Sequence, residues 1–238
     1  MIIISKKSIV KFSIFCILLF AFALLPKPVN YNKQTLLVNS STVSNYTIIL
    51  DAGHGLPDGG ATNKYGVSEE EINLKIVLKL QKLLEQSGYV VILTRSDENG
   101  IYDSDEDSMK NKKISDLKKR VELANAEKAD IFISIHLNKI PQEKYYGWQT
   151  FYQKNNEDSK ELAFDIQNNL NFSIQKYNKR EILPLEGKYI MDNVKIPTVT
   201  VECGFLSNEQ ESKELQEDEY QENLAWGIYT GIMDYFYN

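Results

Sequence analysis

The sequence predicts an α/β domain in which helices cover a sheet of parallel strands. Apolar runs that suit buried strands alternate along the chain with segments of helical spacing, and residues 131–135 are apolar at nearly every position. The alternation implies right-handed strand–helix–strand units. A strand that is apolar on both faces is typical of a parallel sheet. Ligands of such sheets bind at the carboxyl ends of the strands, so a functional site is expected there.

The composition is that of a folded, acidic protein. The chain has 238 residues, of which 42% are hydrophobic and 25% are charged, and this is enough for one full-sized domain. Acidic residues outnumber basic ones by 33 to 27, which gives a formal net charge of −6. No nucleic acid is expected as a partner, because phosphate binding needs a basic face.

The N-terminus has the pattern of a targeting segment. Three lysines precede an apolar run at residues 12–25, and Pro26 ends that run. A basic head before a short apolar stretch predicts a signal peptide or an N-terminal membrane anchor at residues 1–25. Either one would export the rest of the chain and confine membrane contact to this segment. Because Cys16 lies within it, a disulfide framework with Cys203 is excluded.

Two boundaries follow from the pattern after this segment. Residues 26–45 are mostly polar and predict a linker, so the folded domain is expected at residues 46–238. The domain begins with a short apolar run at residues 46–50 that suits a buried strand. The glycine-rich segment 53–60 then predicts a tight loop, since glycine adopts positive φ freely and lets the backbone approach a ligand.

The next segments predict a helix, a strand and a second helix. Ser68 followed by Glu71 predicts a capping box for a helix that ends near Gly88. Residues 89–93 predict a strand, and residues 114–126 predict a helix. The first helix has apolar residues at helical spacing: Ile72, Ile76, Leu80, Leu83 and Leu84. The second helix is expected to expose most of its basic run of Lys118, Lys119 and Arg120, although Arg120 could equally form a structural ion pair.

The remaining segments continue the alternation. Residues 147–152 predict a strand at an edge of the sheet, and the β-branched residues 197–201 predict a further strand. Residues 171–192 have little pattern and predict a surface loop with a short strand near Tyr189. Two further helices are predicted from apolar stripes. The first carries Leu162, Ile166 and Leu170, and the second, at residues 220–236, carries Leu224, Ile228 and Ile232.

Three polar residues come at the ends of predicted strands, namely His54, His136 and Glu202, and the two histidines are the only ones in the chain. Two histidines and a carboxylate form a catalytic zinc shell with water in the fourth position. Such a metal lowers the pKa of the water to about 7 and polarises a carbonyl oxygen. A second carboxylate then passes the proton to the leaving nitrogen. Glu69 and Glu202 are the candidates, and residue types alone do not say which binds the metal.

Four motifs resemble, in order, those of the zinc-dependent N-acetylmuramoyl-L-alanine amidases. They are ILDAGHG at residues 49–55, GVSE at 66–69, SIHLN at 134–138 and VECGFLSN at 201–208. The resemblance covers the whole predicted domain. Ala52 and Leu137 depart from the proline and the alanine that many members have, and as apolar residues they would alter loop shape but not the chemistry.

The resemblance implies a role for each candidate residue. His54, Glu69 and His136 would bind Zn²⁺, and Glu202 would be the catalytic general base and acid. The bond cleaved would be the amide between the lactyl group of muramic acid and L-alanine, in peptidoglycan glycan strands with peptide stems. The implied fold is a mixed, mostly parallel β-sheet flanked by helices on both faces, in a single zinc amidase catalytic domain.

A bare catalytic domain behind a signal sequence is similar to the spore-cortex amidases of endospore formers. Those enzymes act with a deacetylase to prepare muramic-lactam, which implies a role in sporulation and germination. The location implied is extracytoplasmic, in the intermembrane space of the forespore. Whether an accessory protein partner is needed for activity stays open at this point.

Other interpretations of the same residues also stay open. The enzyme could be a vegetative autolysin in cell separation, or a cysteine hydrolase that uses Cys203. A non-catalytic glycan-binding module could keep the same fold, and two histidines with one carboxylate also suit non-haem iron. Strand alternation argues against the thiol, because it places Cys203 with Val199 and Val201 on the packing side of the sheet.

Overall fold

The computed structural model describes residues 46–237, and a six-stranded sheet lies at the centre of this part of the chain. The strands are β1 (Thr47–Ala52), β2 (Val90–Leu93), β3 (Ile131–Asn138), β4 (Gln149–Gln153), β5 (Leu183–Leu185) and β6 (Thr198–Phe205). Their order across the sheet is β2-β1-β3-β6-β4-β5. The first four are parallel to one another, and β4 runs antiparallel to β6 and parallel to β5. The predicted mixed, mostly parallel sheet is confirmed.

Helices cover both faces of this sheet. In the described range they are α1 (Glu69–Gln86), α2 (Met109–Ala126), α3 (Glu157–Ile174), α4 (Tyr189–Asn193), α5 (Glu209–Glu214) and α6 (Asp218–Tyr237). None of them is both long and apolar enough to cross a membrane. The predicted targeting segment (1–25) and linker (26–45) lie outside the described residues.

One face of the sheet, here called the apolar face, carries the larger core. Helices α1, α3 and α6 bury their apolar stripes against alternate residues of β1, β3 and β6. The predicted stripe residues Leu162, Ile166, Leu224, Ile228 and Ile232 are all fully buried there. Burying a side chain of this size stabilises the fold by about 1.5–3 kcal/mol. This face therefore holds most of the hydrophobic core.

The opposite face, here called the site face, is covered more thinly. Its core consists of only seven buried residues, which come from β1, β3, α2, α4 and the segments after α2 and α4. Helix α4 has five residues and buries Ile190 and Met191. Near the carboxyl ends of the strands, the site face carries polar side chains instead of apolar ones. Strand alternation places Ser134 and His136 on this face with Phe132.

Two predictions about the secondary structure are wrong, and a third is misplaced along the chain. The strand at residues 147–152 is not at an edge, because β5 pairs with β4 on its outer side. The short strand expected near Tyr189 lies earlier, at Leu183–Leu185. Tyr189 itself begins α4, a helix of five residues that is too short to show a periodic pattern. The predicted capping box does not form: Ser68 precedes α1, but its hydroxyl donates to Glu70, and Glu71 pairs with Lys75.

Other elements extend further than the sequence indicates. Helix α2 begins at Met109, where the Ser108 side chain accepts a hydrogen bond from the Asn111 amide. Strand β3 continues through His136 to Asn138, and β6 continues through Glu202 to Phe205. Polar residues ended the apolar runs in the sequence, yet the backbone pairing of these strands continues past them.

Candidate metal centre

His54 lies in the loop that follows β1, and its backbone has an uncommon conformation. Its φ of 65° is in the left-handed region, which residues other than glycine seldom adopt. Two arginines hold the carbonyl groups of this loop. Arg120 donates to the carbonyls of Ala52 and His54, and Arg95 donates to those of Ala52 and Gly53. The surrounding structure therefore fixes the conformation that presents the His54 ring.

Arg120 is buried and forms an ion pair with Asp51, which is also fully buried. Burial opposes the ionisation of Asp51, but Arg120 and hydrogen bonds from Ser134 and Thr94 hold its pKa below the usual value. The second carboxylate partner of Arg120 is Asp116, one turn earlier on α2, and the Arg120 side chain is almost fully shielded from solvent. The network joins α2 to the carboxyl end of β1 directly behind His54.

Of the two alternatives for Arg120, exposure is therefore wrong and the structural ion pair is confirmed. The run of three basic residues indicated a solvated face, but Arg120 lies three residues after Leu117 and four before Ala124. That spacing puts it on the inward face of the helix with both of them. The acid in the apolar run of β1 was a second signal, because a buried carboxylate such as Asp51 needs a cationic partner.

Asp58 supports the His54 ring from the other side. The Nδ1 atom of His54 lies 3.1 Å from Asp58 Oδ2, and the Lys113 ammonium of α2 lies 2.9 Å from the same oxygen. Burial alone would lower the pKa of His54, but the hydrogen bonds to Asp58 and Glu69 raise it to about 9. When Nδ1 donates to Asp58, the Nε2 atom is free to bind a metal.

Glu69 begins α1 and lies between the two imidazole rings. One carboxylate oxygen accepts from the amide of Leu137 at 3.0 Å, and the other accepts from the amide of Ala61 at 2.8 Å. Oε2 is 3.3 Å from His54 Nε2, and Oε1 is 2.9 Å from His136 Nδ1. Burial alone would raise the pKa of Glu69, but the hydrogen bonds to His136 and His54 hold it far below its usual range.

Two glycines leave room for the histidine rings. A Cβ atom on Gly53 would lie 2.3 Å from Nε2 of the His136 ring, so that ring packs directly on the glycine backbone. A Cβ atom on Gly60 would lie 2.6 Å from the Glu69 carboxylate and 2.7 Å from the His54 ring. Both distances are too short for any side chain. The glycine-rich loop predicted from the sequence thus allows the three groups to approach.

The three side chains form a set that suits a metal ion. One ligand atom from each of His54, Glu69 and His136 lies within 4.8 Å of the others. Two imidazole nitrogens and one carboxylate oxygen are the donors of a catalytic zinc site. The Glu69 side chain is only 4% exposed, whereas those of His54 and His136 are 18% and 24% exposed. The donor set is therefore open to solvent on one side, where a substrate can reach it.

Glu202 lies beside this set on the neighbouring strand. It is the direct register partner of His136, and both side chains are on the site face. Its Oε2 atom is buried and has no hydrogen-bond partner among residues 46–237. Burial raises the pKa of Glu202, while the charges of His136, His54 and Lys188 oppose that rise. A carboxyl group with a raised pKa at a metal-binding set is suited to carry a proton.

Cys203 points away from the site. It is fully buried in the apolar face with Val199 and Val201, as strand alternation predicts. Burial raises the pKa of its thiol well above the usual value, so the reactive thiolate is strongly disfavoured. This position excludes the cysteine hydrolase interpretation.

A family model for N-acetylmuramoyl-L-alanine amidase matches residues 48–234, which is most of the chain. The chain belongs to this family. The amidase is 36% identical over 197 residues to the germination-specific N-acetylmuramoyl-L-alanine amidase of Bacillus subtilis (strain 168), a match that covers 83% of this chain and 82% of that protein. Its activity is therefore the hydrolysis of the N-acetylmuramoyl-L-alanine amide in peptidoglycan.

Solved structures agree with this assignment. The amidase superimposes on the CwlD amidase from Clostridioides difficile in complex with the GerS lipoprotein, with a TM-score of 0.79 and 49% identity. That match covers 81% of this chain and 98% of the other. A second similar structure is the N-acetylmuramoyl-L-alanine amidase from Clostridium difficile 630, with a TM-score of 0.70, 31% identity, and coverage of 80% and 96%.

The end of β6 in the amidase is held by a residue that the sequence did not indicate. Glu211 of α5 accepts hydrogen bonds from the amides of Phe205 and Gly147, which join β6 to the segment before β4. Burial raises the pKa of Glu211 to about 7, although these two hydrogen bonds act in the opposite direction. Helix α5 has six residues, too few to be recognised by periodicity, and so its role was missed.

Proposed function

We propose that the amidase is a zinc enzyme in which His54, Glu69 and His136 bind the ion and Glu202 moves the proton. The observation that carries this proposal is the approach of the three ligand atoms to within 4.8 Å of one another, beside the register partner of His136. The resemblance in the four motifs assigns the same residues. Two independent lines of reasoning therefore agree on one ligand set.

Each residue of the chain has a definable task in this scheme. A bound zinc ion supplies a Lewis acid that polarises the amide carbonyl and makes water acidic enough to attack it. Glu202 accepts the proton of the attacking water and donates it to the nitrogen of L-alanine as the amide bond breaks. Burial raises the pKa of Glu202, which favours the protonated form that donates to the leaving nitrogen. Asp58 and the backbone amides that hold Glu69 keep the ligands in place.

We further propose that the substrate is the peptidoglycan of the spore cortex and that the product is used to form muramic-lactam. A relative with 36% identity is named germination-specific, and the similar structure with 49% identity is a complex with a lipoprotein. These names support an extracytoplasmic amidase of sporulating cells that works with an accessory lipoprotein. Expression during sporulation, and loss of muramic-lactam when the gene is deleted, would support this role. Expression in vegetative cells alone would favour a role in cell separation.

The central test is mass spectrometry of muropeptides after treatment of peptidoglycan with the purified chain. We expect release of stem peptides with a free L-alanine amine, loss of that product on chelation and recovery with zinc. The change Glu202→Gln removes the proton carrier and should lower turnover by about 10²–10⁴-fold while the protein remains folded.

A matched control uses another carboxylate of the same helix that contains Glu69. Glu71→Gln affects only an exposed pair with Lys75 and should leave both turnover and zinc content unchanged. Glu69→Gln should lose both. A wild-type rate in Glu202→Gln would show that Glu202 is not the proton carrier. Iron instead of zinc in the purified protein would show that the assignment of the metal as zinc is wrong.

A further inference from the structure

A cavity of about 250 Å³ lies at the same carboxyl edge of the sheet as the metal-binding residues, and the scheme above gives it no role. Three segments that lead directly from the site line its walls. Residues 63–65 precede Glu69, residues 139–143 follow β3, and residues 206–212 follow β6. The cavity therefore lies at the same carboxyl edge of the sheet as the metal-binding residues, where an arm of a bound substrate would extend.

The walls combine apolar groups with one available cation. Ile140, Pro141 and Leu206 provide the apolar surface. The Lys139 ammonium donates to the carbonyl of Thr62 at 2.6 Å and makes no ion pair with any residue in the described range. This lysine comes three residues after His136. Its ammonium contacts the same loop whose Ala61 amide binds Glu69, so its charge is available to an anionic ligand on the side of the metal centre formed by that loop.

The other charged groups of the cavity do not compete for this role. Lys64 is held by Glu209 at 2.8 Å, so this cation and this anion neutralise each other. Glu143 and Lys139 are both exposed, so solvent and salt weaken the repulsion by the one and the attraction by the other alike. Lys139 is thus the cation in the cavity that has no carboxylate partner.

A second cavity, lined by Asp58 and residues of α2, is too small to bind a substrate arm. It lies beside Asp58 and has room for about 10 Å³, which is the space of one water molecule. Of its two lysines, Lys113 pairs with Asp58, and the Lys112 ammonium lies over the Tyr102 ring. Of these two cavities, the one at Lys139 has the space for a substrate arm beside a cation without a carboxylate partner.

We propose that this cavity binds the peptide stem of the substrate and that Lys139 binds a carboxylate of that stem. The inference rests on the proposed function, in which the amide at the metal centre joins a sugar to a peptide. The acylated muramic acid arm carries no charge, whereas the stem peptide carries free carboxylates. The available cation therefore selects the peptide arm, and the apolar walls pack against its aliphatic side chains.

The test compares two muropeptides, one with free stem carboxylates and one with those carboxylates amidated. The wild-type amidase should prefer the acidic substrate by about two- to fivefold in kcat/KM, the size expected for one exposed charge pair. Lys139→Met should abolish this preference through a higher KM with little change in kcat, and Lys139→Arg should restore it. The control Lys144→Met removes a lysine of the same loop that stacks on Tyr145 and does not line the cavity, and it should keep the preference.

Binding measurements separate this proposal from the proposed catalytic scheme. In a Glu202→Gln background, calorimetry should give tighter binding of the acidic muropeptide than of the amidated one, and Lys139→Met should make the two equal. If Lys139→Met kept the wild-type preference for the acidic over the amidated muropeptide, in turnover or in binding, the cavity assignment would be wrong. If the wild-type chain bound the acidic muropeptide through Lys139 but released no stem peptide from it, the catalytic scheme would fail while the cavity assignment stood.

Discussion

The two faces of the sheet differ in what they contribute to the protein. The apolar face packs against three long helices and holds the larger cluster of buried hydrophobic residues. The site face is covered by α2 and the five-residue α4, and it buries an ion pair between Asp51 and Arg120. His136 and Glu202 lie at the carboxyl end of this second face. The thin cover leaves these side chains accessible, while the apolar face supplies the hydrophobic stability that such a site lacks.

The largest effect is expected from breaking the buried ion pair of the site face. Arg120→Met leaves Asp51 charged and unpaired, which should lower the free energy of unfolding by about 3–5 kcal/mol. It also removes the donor to the His54 carbonyl, so zinc affinity should fall as well. Urea denaturation and a chelator competition assay measure the two quantities. The exposed neighbour Lys118 provides the control Lys118→Met, and equal stability of the two variants would contradict the role given to Arg120.

A substitution in the apolar face should affect stability without affecting the site. Leu224→Ala opens a cavity in the core between α6 and the sheet and should lower the free energy of unfolding by about 2–5 kcal/mol. Turnover per folded molecule and zinc content should be unchanged. Leu78→Ala, at a position that is 40% exposed, should change stability by less than about 0.5 kcal/mol. A loss of zinc in Leu224→Ala would show that the two faces are not independent.

The smallest effect is expected from the support of His54. Asp58→Asn keeps the size of the side chain but removes the charge that holds Nδ1 and Lys113, and zinc affinity should fall by about 10–100-fold. Thermal stability of the zinc-free protein should change little. The control Asp105→Asn alters an exposed acid in the loop before α2. Equal zinc affinity of the two variants would contradict the role of Asp58 in supporting His54.

Residues with a short-range signal could be predicted from the sequence. Apolar spacing identified the helices that pack on the apolar face, and β-branched or apolar runs identified β1, β3 and β6. His54, His136 and Glu202 follow or end these runs, so the common edge of the parallel strands brings them together. Glu69 had no such signal and was selected only as one of two carboxylates, until the motif resemblance assigned it to the metal.

The remaining features depend on contacts that are distant in the chain. The ion pair of Arg120 with Asp51 joins positions 69 residues apart, and a run of basic residues concealed it. Likewise, the bond of Asp58 to Lys113 and the bracing of β6 by Glu211 depend on how helices dock on the sheet. Elements as short as α4, α5 and β5 have no period to detect. Their positions follow from packing that the local sequence does not encode.

The most direct test of the central claim is anomalous diffraction at the zinc absorption edge from crystals of the purified amidase. We expect a single peak at about 2.0–2.2 Å from His54 Nε2, His136 Nδ1 and an oxygen of Glu69, and no peak in crystals of Glu69→Gln. A peak at any other position, or zinc held without one of these three side chains, would contradict the account.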